Sequence, residues 1–355
     1  MANGASERAL RVLAVANWDP ARAEAPWAGQ RVAALRAAGV EVDLLAEECV
    51  LDRGGFVRLW RRLDERLESG RYDVVAPLYG SLLGLLCASQ RRVPCVLSLA
   101  GSDLHGAPSP RGGAALSSLP SRLASQLGAV LAGAVSVRSA RMRSALWWPP
   151  ARRRCEVIGS GVDVARFCPL PRDEARRRRH LPLDGHRVAF VALRAAARPV
   201  KRIALARAAM ERLPGVALDV VDGLPLDEMP WAYAACDALL VTSHAEGSPN
   251  CVKEALACAR PVVSVDVGDV REVLAGIDNC AVAEATPAAL ATALERVLTD
   301  GRGCPDGPRR MAERCSLEAM AARFVGLYQR ASGIGPWAPA RATAPMEEGH
   351  GAVGG

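Results

Sequence analysis

The sequence predicts an α/β protein built from two doubly wound units, and three observations support this. Short apolar runs typical of buried strands alternate with helical runs along the chain, which is the pattern of parallel sheets covered by helices on both faces. The alternation breaks once, in a stretch rich in glycine, proline and charge at residues 156–172, which indicates an interdomain connection. The 355 residues are enough for two domains of about 150 residues each.

The elements of the first unit are predicted from apolar periodicity bounded by turn residues. In chain order we expect a strand at 11–17, a helix at 29–39 that ends at Gly39, a strand at 40–46, a helix at 56–69, a strand at 72–78, an apolar helix around 81–89, a strand at 94–103, a helix near 119–132, a strand at 133–137 and a helix at 139–146. Pro149 and Pro150 end the last of these helices.

The second unit repeats the pattern. We expect a strand at 187–193, a helix at 201–213, a strand at 216–222, a helix at 229–236, a strand at 237–243, a helix at 250–259, a strand at 261–267, a helix near 287–299 and an amphipathic helix at 316–331. The predicted organisation is a domain at 1–155, a connection at 156–172, a domain at 173–315, a C-terminal helix at 316–333 and a disordered tail at 334–355.

The charge of the chain comes almost wholly from arginine. The net charge is +7, and Lys201 and Lys253 are the only lysines among 45 basic residues. We interpret the basic runs at 58–66, 152–154 and 176–179 as solvated helix faces and linkers. The alternative is a peripheral patch for anionic lipid, since each arginine near an acidic surface contributes about 1 kcal/mol. Aromatic residues are 4% of the chain and do not interleave with the basic runs, so we expect no nucleic-acid partner.

Other sequence signals point away from membrane-spanning and metal-binding classes. No apolar run reaches the roughly 18–20 residues that span a bilayer, and the first residues lack a signal-peptide layout. We therefore expect a cytoplasmic protein, with peripheral contact at the inner face of a membrane as a variation. The 11 cysteines form no CxxC pair, so buried free thiols are expected rather than a zinc site or disulfides. We expect neither a metal nor a cofactor.

The stretch EGSPNCVKE places Glu246 and Glu254 eight residues apart around a turn and a helix start. Ser248 or Asn250 is expected to cap that helix, and Pro249 suits its first turn. The helix end offers backbone N–H groups to an anion. Because a carboxylate about 4 Å from a phosphate costs roughly 1–4 kcal/mol, the two acids are expected on either side of the phosphate. A sugar, a diphosphate and a ribose describe a nucleotide-sugar; a capped helix with two surface acids and a glycosidase acid pair are the alternatives.

Around this stretch, residues 242–274 resemble the signature of retaining GT-B glycosyltransferases of family four, the glycosyl transferases group one. The match includes the E-x7-E motif, the PVV run and the following G-D-V-x-E. Weaker likeness covers 157–170, 197–214, 99–106 and 25–42, and bacterial teichuronic-acid and capsule-type enzymes are the nearest members. The resemblance implies two Rossmann-like domains with an interdomain cleft. The first would face the acceptor, the second would bind the nucleotide-sugar, and the C-terminal helix would pack back toward the first.

The resemblance also implies donor-binding roles by position. Glu254 would hold the ribose hydroxyls, and Glu246 would face the hydroxyls of the donor sugar. Lys201 would pair with the diphosphate and stabilise it as leaving group. Lys253 is expected to face solvent. The remaining predicted donor-side residues are Gly29 in the N-terminal loop, Arg194 or Arg198 beside the lysine, and Gly247, Ser248, Pro249 and Asn250 in the loop.

On the acceptor side the resemblance points to Gly101, Ser102 and Asp103, with a strand-end turn stabilised by the Asp103 side chain as an equal alternative. The chain departs from the family in three places, one of which is the run IGSG at 158–161, where the family has PNG. Ala100 replaces the usual histidine before GSD, and His105 is a candidate substitute. Arg202 stands where the family has a glycine after the phosphate-binding lysine.

The implied activity is metal-independent transfer of a glycosyl group, of the hexosyltransferase type, from a nucleoside diphosphate sugar to a hydroxyl acceptor, with retention. The acceptor would be a polysaccharide, a lipid-linked glycan or a natural product, and Glu246, Lys201 and Asp103 would carry the chemistry. A degenerate nucleotide-sugar-binding or scaffold protein is one alternative. A nucleotide-sugar epimerase or hydrolase on the same fold is another.

Overall fold

The structure is a computed structural model that describes residues 8–16, 26–46, 53–106, 115–192 and 199–334. The strands are β1 (Arg11–Ala16), β2 (Glu41–Ala46), β3 (Val74–Pro77), β4 (Val96–Ser98), β5 (Ala134–Val137), β6 (Cys155–Val157), β7 (His186–Val191), β8 (Val216–Val221), β9 (Ala238–Val241), β10 (Val262–Val265) and β11 (Ala281–Ala283).

Helices follow most of these strands, as the alternating sequence pattern predicts. They are α1 (Pro26–Ala37), α2 (Arg53–Glu68), α3 (Ser81–Ser89), α4 (Ser102–His105), α5 (Leu119–Leu131), α6 (Ala140–Ser144), α7 (Pro149–Arg153), α8 (Arg172–Arg178), α9 (Ile203–Met210), α10 (Met229–Ala235), α11 (Asn250–Ala257), α12 (Val270–Leu274), α13 (Pro287–Asp300), α14 (Gly307–Arg314) and α15 (Leu317–Ser332).

The first sheet is parallel and is covered by helices on both faces. Strands β2, β1 and β3 pair in that order, strands β4, β5 and β6 pair likewise, and a parallel bridge between Val75 and Cys95 joins the two groups. Alternate residues of β1 point to opposite cores: Leu13 packs with α2, α3 and α5, whereas Val12 packs with α1 and α15. This period of two explains why the strand is apolar throughout.

The second sheet is parallel and has the order β11-β10-β9-β7-β8. Strand β9 lies between β7 and β10, so the chain reverses its direction of sheet growth there. Ligand sites of doubly wound sheets lie at such a switch point, beyond the carboxyl ends of the strands. The two parallel sheets confirm the predicted α/β class.

The interdomain connection and the residues that lead into the C-terminal helix run next to each other between the two sheets. Val162 donates its N–H to the Cys315 carbonyl at 2.8 Å and accepts from the Leu317 N–H at 3.0 Å. Ser316 caps α15, because its Oγ accepts from the Ala319 N–H at 3.1 Å. Beyond this crossing α15 packs against α1, on the core of the first sheet. The domain limits at 155, 172 and 315 stay predictions.

Two sequence interpretations are corrected here. The segment interpreted as connection contains part of β6, because Cys155–Val157 pairs with β5 at the edge of the first sheet. The basic run at 176–179 is solvated only in part: Arg177 and Arg178 are exposed, whereas Arg176 is fully buried. Its guanidinium donates to the Asp237 carboxylate and to the Ala235 carbonyl, each at 2.9 Å, and closes the turn after α8. An arginine side chain carries five N–H donors in one plane, so it can bind several acceptors from different segments at one buried point.

Within the described segments no helix is long and apolar enough to cross a membrane. The ten cysteines that the structure describes are free, and seven of them are buried. Those segments also contain no group of three or more histidine, cysteine, aspartate or glutamate residues arranged to hold a metal ion.

Candidate active site

The glutamate loop lies beyond the carboxyl end of β9, at the switch point of the second sheet. The strand ends at Val241, and α11 begins at Asn250. Glu246 lies between them, and its side chain is about one-fifth exposed. Lys201 donates to Glu246 Oε1 at 2.7 Å. The structure therefore brings together the lysine and the first glutamate, which are 45 residues apart in the sequence.

The loop that carries Lys201 is bound to the tip of β9. Thr242 Oγ1 donates to the carbonyls of Lys201 and Arg202, at 2.7 Å and 3.1 Å, and the His244 N–H donates to the Val200 carbonyl at 2.7 Å. Arg202 has a φ of +51°, in the left-handed region that favours glycine. This conformation fits the glycine that the family resemblance implies at this position. Here the arginine donates its Nε to the Thr242 carbonyl at 2.6 Å, which offsets part of the strain.

Glu254 lies on α11 and is held by Tyr233 of α10. The tyrosine hydroxyl donates to Glu254 Oε2 at 2.6 Å. Desolvation by the surrounding protein raises the pKa of Glu254, while the bond from Tyr233 and the charges of Lys201 and Lys253 act in the opposite direction. Burial also raises the pKa of Tyr233 well above its ordinary value, so the phenol stays protonated as the donor. Glu254 keeps part of its surface exposed.

This burial predicts a pH-dependent effect of Glu254→Gln on stability. A folded pKa above the ordinary 4.5 means that the favourable contribution of Glu254 is complete below about pH 4.5 and is lost as pH rises through the raised pKa. The variant should therefore melt at a higher temperature than the parent at pH 7, and the gap should close as pH falls toward 4.5. Thermal melts across pH measure it. A gap that does not change with pH would contradict this account.

Ser248 and Lys253 have positions that differ from the sequence predictions. Lys253 is 1% exposed and not solvent-facing; its Nζ donates to Asp269 Oδ2 at 2.9 Å and to Ser248 Oγ. Ser248 Oγ in turn donates to Asp269 at 2.7 Å and accepts from the Ser160 N–H at 3.0 Å. We call Ser248, Lys253 and Asp269 the buried ionic cluster. It fastens the glutamate loop to the interdomain connection.

Because Ser248 serves this cluster, it does not cap α11. Pro249 occupies the N-cap position and Asn250 is the first helical residue, and no side chain of the described segments caps the helix. The first-turn N–H groups therefore keep their capacity to bind an acceptor atom such as a phosphate oxygen.

The turn after β4 is organised by Asp103, which is fully buried. Its carboxylate accepts from the backbone N–H groups of Gly80 at 2.9 Å, Ala100 at 2.9 Å and Gly101 at 2.7 Å. This is the Asp-stabilised turn that the sequence offered as the alternative. Three backbone donors therefore occupy this carboxylate, and its predicted catalytic role stays a prediction.

The same turn contacts the glutamate loop across the cleft. A Cβ at Gly247 would lie 2.5 Å from the Ala100 carbonyl oxygen, and a Cβ at Gly101 would lie 3.7 Å from the Gly247 N. Only glycine permits such a close approach at 247. The two sheets therefore present their carboxyl ends to each other at this point.

The other predicted acceptor-side residues lie on α4. Ser102 Oγ is 2.8 Å from the Tyr79 hydroxyl, and burial raises the pKa of Tyr79 to about 12. His105 ends the helix, and its pKa is lowered, first by burial. Gly29 lies inside the first turn of α1 rather than in a loop, because α1 already begins at Pro26. Arg194 and Arg198 lie outside the described residues.

Two arginines missed by the sequence analysis line a recess beside the Ala100 turn, between the first sheet, α1, α15 and the connection. Arg31 is 5% exposed; it donates to Ser98 Oγ at 3.0 Å and lies 4.5 Å over the Phe324 ring. Its Nε and Nη2 have no hydrogen-bond partner among the described residues. The signal was present: Arg31 falls on the apolar face of α1, between Ala28 and Leu35.

Arg138 is the second, at the end of β5. It lies 4.1 Å over the Trp27 ring and donates to Ser160 Oγ at 3.3 Å. Burial, reinforced by the charge of Arg31, lowers the pKa of Arg138 to about 10; Asp103, Asp269 and Glu246 act in the opposite direction. The buried Arg31 and the partly buried Arg138 thus lie beside the Ala100 turn. No sequence signal pointed to Arg138, because no periodic pattern surrounds it.

Two parallel-sheet domains that meet at their carboxyl ends, with a C-terminal helix crossing back, define the GT-B fold. Solved structures agree: sucrose-phosphate synthase from Thermosynechococcus elongatus has a TM-score of 0.71 at 18% identity, covering 91% of this chain and 99% of that one. HepE from Anabaena, in complex with UDP and glucose, has a TM-score of 0.65 at 17% identity, covering 90% and 99%. These identities show the fold alone, and they confirm the predicted GT-B architecture.

A match to a protein family comes from the sequence of the second domain. Residues 191–300 match the family model described as glycosyl transferases group 1, and this range contains Lys201, Glu246 and Glu254. The predicted resemblance to GT-B glycosyltransferases is therefore confirmed, with the family match covering this range. The narrower likeness to teichuronic-acid and capsule-type enzymes stays a prediction.

Curated relatives include two D-inositol 3-phosphate glycosyltransferases. The one from Salinispora tropica is 31% identical, covering 50% of this chain and 46% of the relative. The one from Frankia alni is 30% identical, covering 41% and 44%. The chain spans about half the length of the curated relatives it matches.

Proposed function

We propose that this protein transfers a glycosyl group from a nucleoside diphosphate sugar to a hydroxyl acceptor, with retention at the anomeric carbon. One observation carries the proposal: Lys201, Glu246 and the uncapped start of α11 converge at the switch point of the second sheet, opposite the Ala100 turn. A cation, backbone N–H groups and a carboxylate together suit a diphosphate with a sugar attached.

The donor would bind along this arrangement. Lys201 would exchange its contact with Glu246 for the diphosphate, which leaves Glu246 to accept hydrogen bonds from the sugar hydroxyls. Glu254, oriented by Tyr233, would accept from the ribose hydroxyls. The carboxylates would then flank the phosphates and not compete with them, because like charges about 4 Å apart repel by roughly 1–4 kcal/mol.

The reaction needs no protein nucleophile in this scheme. The bond between the anomeric carbon and the phosphate oxygen breaks, the bond to the acceptor oxygen forms on the same face, and the departing phosphate accepts the acceptor's proton. Lys201 and the N–H groups of α11 stabilise the negative charge that develops on the diphosphate. We propose that the protein supplies this stabilisation without a metal ion. Asp103 is better suited to hold the turn than to react, since three backbone N–H groups occupy it.

The acceptor is proposed to carry an acidic group as well as the reacting hydroxyl. Arg31 and Arg138 line the recess beside the Ala100 turn, and two N–H groups of Arg31 lack partners among the described residues. A buried cation without a counter-charge is costly, and a phosphate or carboxylate would supply that charge. The curated relatives named above act on an inositol phosphate by name, which supports this class.

The acidic-acceptor proposal makes a kinetic prediction for Arg138→Gln. The variant should raise the KM for an acidic acceptor by about tenfold or more, because a charge-assisted hydrogen bond contributes about 1.5–3 kcal/mol. The dissociation constant of the donor should stay unchanged. Steady-state kinetics with an acceptor and its uncharged analogue separate the two. If the KM rises equally for the acidic acceptor and for its uncharged analogue, the arginine does not bind an acidic group.

The test of the function itself begins with donor binding. A thermal-shift screen of UDP-, GDP-, ADP- and dTDP-sugars should single out one base, since a donor at 100 times its dissociation constant adds about 2.7 kcal/mol of stability. Product analysis with that donor then discriminates the alternatives. A glycosylated acceptor supports the proposal; donor binding without any product indicates a scaffold or degenerate protein; a free, altered sugar indicates an epimerase or hydrolase.

We also propose that the protein works in the cytoplasm at the surface of an anionic membrane. The excess of arginine over acid favours this location. A lipid-linked glycan would be a suitable acceptor there.

A further inference from the structure

Helix α5 exposes an apolar stripe along its full length. The exposed side chains recur at spacings of three and four, the period of one helix face, and they extend from the turn before the helix to its last residue. They are Leu116, Leu119, Leu123, Leu127, Val130 and Leu131, of which Leu116 is 89% and Leu127 is 56% exposed. The opposite face of α5 packs on α3 and the first sheet. The exposed stripe therefore has no role in the core.

Two exposed tryptophans lie beside this stripe. Trp147 and Trp148 are 53% and 54% exposed. The backbone N–H of Trp147 donates to Gln126 Oε1 of α5 at 2.9 Å, and Gln126 Nε2 donates to the Ala145 carbonyl at 3.0 Å. These two bonds hold the tryptophan loop against the helix. Exposed tryptophan next to aliphatic residues is typical of surfaces that lie at a lipid–water boundary.

The described segment that carries the stripe has charge of one sign. Residues 115–155 contain seven arginines and no aspartate or glutamate. Arg154 donates to the Val130 carbonyl at 2.9 Å, which places a guanidinium at the C-terminal end of the stripe. Arg143, Arg153 and Arg154 also line a groove at the amino ends of β5 and β6, where the one carboxylate, Glu156, is already paired with Arg323 and Arg330. The surroundings of the stripe attract anions.

We propose that this surface, the α5 docking face, binds an anionic lipid bilayer; it comprises the α5 stripe with Trp147 and Trp148. Apolar side chains would enter the headgroup region while the arginines pair with lipid phosphates, as in interfacial helices. A second copy of the chain fits less well, because a symmetric dimer would set one arginine-rich rim against another. The stripe begins beside the proposed acceptor side, since Arg122 of α5 donates to the Leu104 carbonyl at 3.4 Å. The inference rests on the proposed membrane contact and not on glycosyl transfer.

Vesicle co-sedimentation of the full chain tests the docking face without any assay of activity. Vesicles of phosphatidylcholine with about one-third phosphatidylglycerol should bind the parent protein, and pure phosphatidylcholine should bind it much less. Leu123→Glu with Leu127→Glu should lower binding to the anionic vesicles by about tenfold or more. Leu183→Glu is the matched control, because Leu183 is an exposed leucine of the second domain, at 37% exposure, and should bind like the parent.

Two further variants separate the charge from the apolar contribution. Arg143→Gln with Arg153→Gln should reduce the preference for anionic over neutral vesicles. Trp147→Phe with Trp148→Phe should reduce the fluorescence quenching by brominated lipid. Thermal melts show whether each variant is folded, and a retained donor-induced thermal shift in the glutamate variant shows that the proposed function is independent of the docking face.

Three results would overturn the proposal. The first is equal vesicle binding by the glutamate variant and the parent. The second is equal binding of the parent to anionic and neutral vesicles. The third is a lipid-free dimer, seen by sedimentation velocity, that the glutamate variant abolishes, because the face is then an interface between copies of the chain.

Discussion

Replacing Lys201 with alanine is expected to lower kcat for glycosyl transfer by about 10²–10³-fold. The lysine donates to Glu246 at 2.7 Å. In the proposed mechanism its charge is most valuable when the diphosphate departs, so the loss should fall on kcat as well as on donor binding. Lys201→Arg should recover part of the rate, since it keeps the charge but not the compact ammonium.

The control for this prediction is Arg207→Ala. Arg207 is an exposed cation of α9, the helix that follows the lysine loop, and it lies outside the proposed site. Its removal should leave kcat unchanged. Lys201→Ala also leaves Glu246 without its cation, so Lys201→Ala with Glu246→Gln should be compared with each single variant. If Lys201→Ala changes only the melting temperature and transfer continues at the parent rate, the leaving-group role is wrong.

Replacing Lys253 with methionine is expected to destabilise the protein by about 3–5 kcal/mol. The ammonium is 1% exposed and bonds to Asp269 and Ser248, so its removal leaves a buried carboxylate without a counter-charge. The Asp269 Oδ1 atom already lacks a hydrogen-bond partner among the described residues. Few hydrogen bonds would therefore remain to stabilise the carboxylate charge once Lys253 is removed. Methionine has a similar volume, so the loss reports the charge rather than a cavity.

The measurement is a thermal melt, with a double-mutant cycle to isolate the pair. Lys253→Met should lower the melting temperature by several degrees, and adding Asp269→Asn should restore part of the loss because the uncompensated charge disappears. Arg177→Met is the matched control, since Arg177 is an exposed basic residue of α8 and surface substitutions stay within about 0.5 kcal/mol. Equal melting temperatures for Lys253→Met and the control would show that the cluster contributes nothing.

The glutamate variant of the docking face and the lysine variants test different parts of the molecule. The former should lose vesicle binding and keep the donor-induced thermal shift. Lys201→Ala should keep vesicle binding and reduce the donor-induced thermal shift. The reason is that Lys201 lies in the second domain, whereas α5 belongs to the first. This pair of opposite outcomes distinguishes membrane docking from donor chemistry.

Local periodicity was enough to predict much of this protein. The alternation of strands and helices set the α/β class, and the spacing of Glu246 and Glu254 around a helix start located the loop at the tip of β9. The rare lysine at 201 pointed to the same place, and the structure brings it to 2.7 Å from Glu246. Such features depend on backbone geometry and chain order, which neighbouring residues encode.

The tertiary structure decided which charged groups are buried and what they contact. Lys253 was expected in solvent, yet its partner Asp269 lies 16 residues further along, and Ser248 is tied to Ser160 across 88 residues. Arg31 likewise meets Ser98, 67 residues away. A residue's periodicity shows which face of its element it occupies. Its partners depend on how the elements pack. Desolvation and pairing at those long-range contacts determine whether a charged side chain is held in an ion pair, has a shifted pKa or stays available to a ligand.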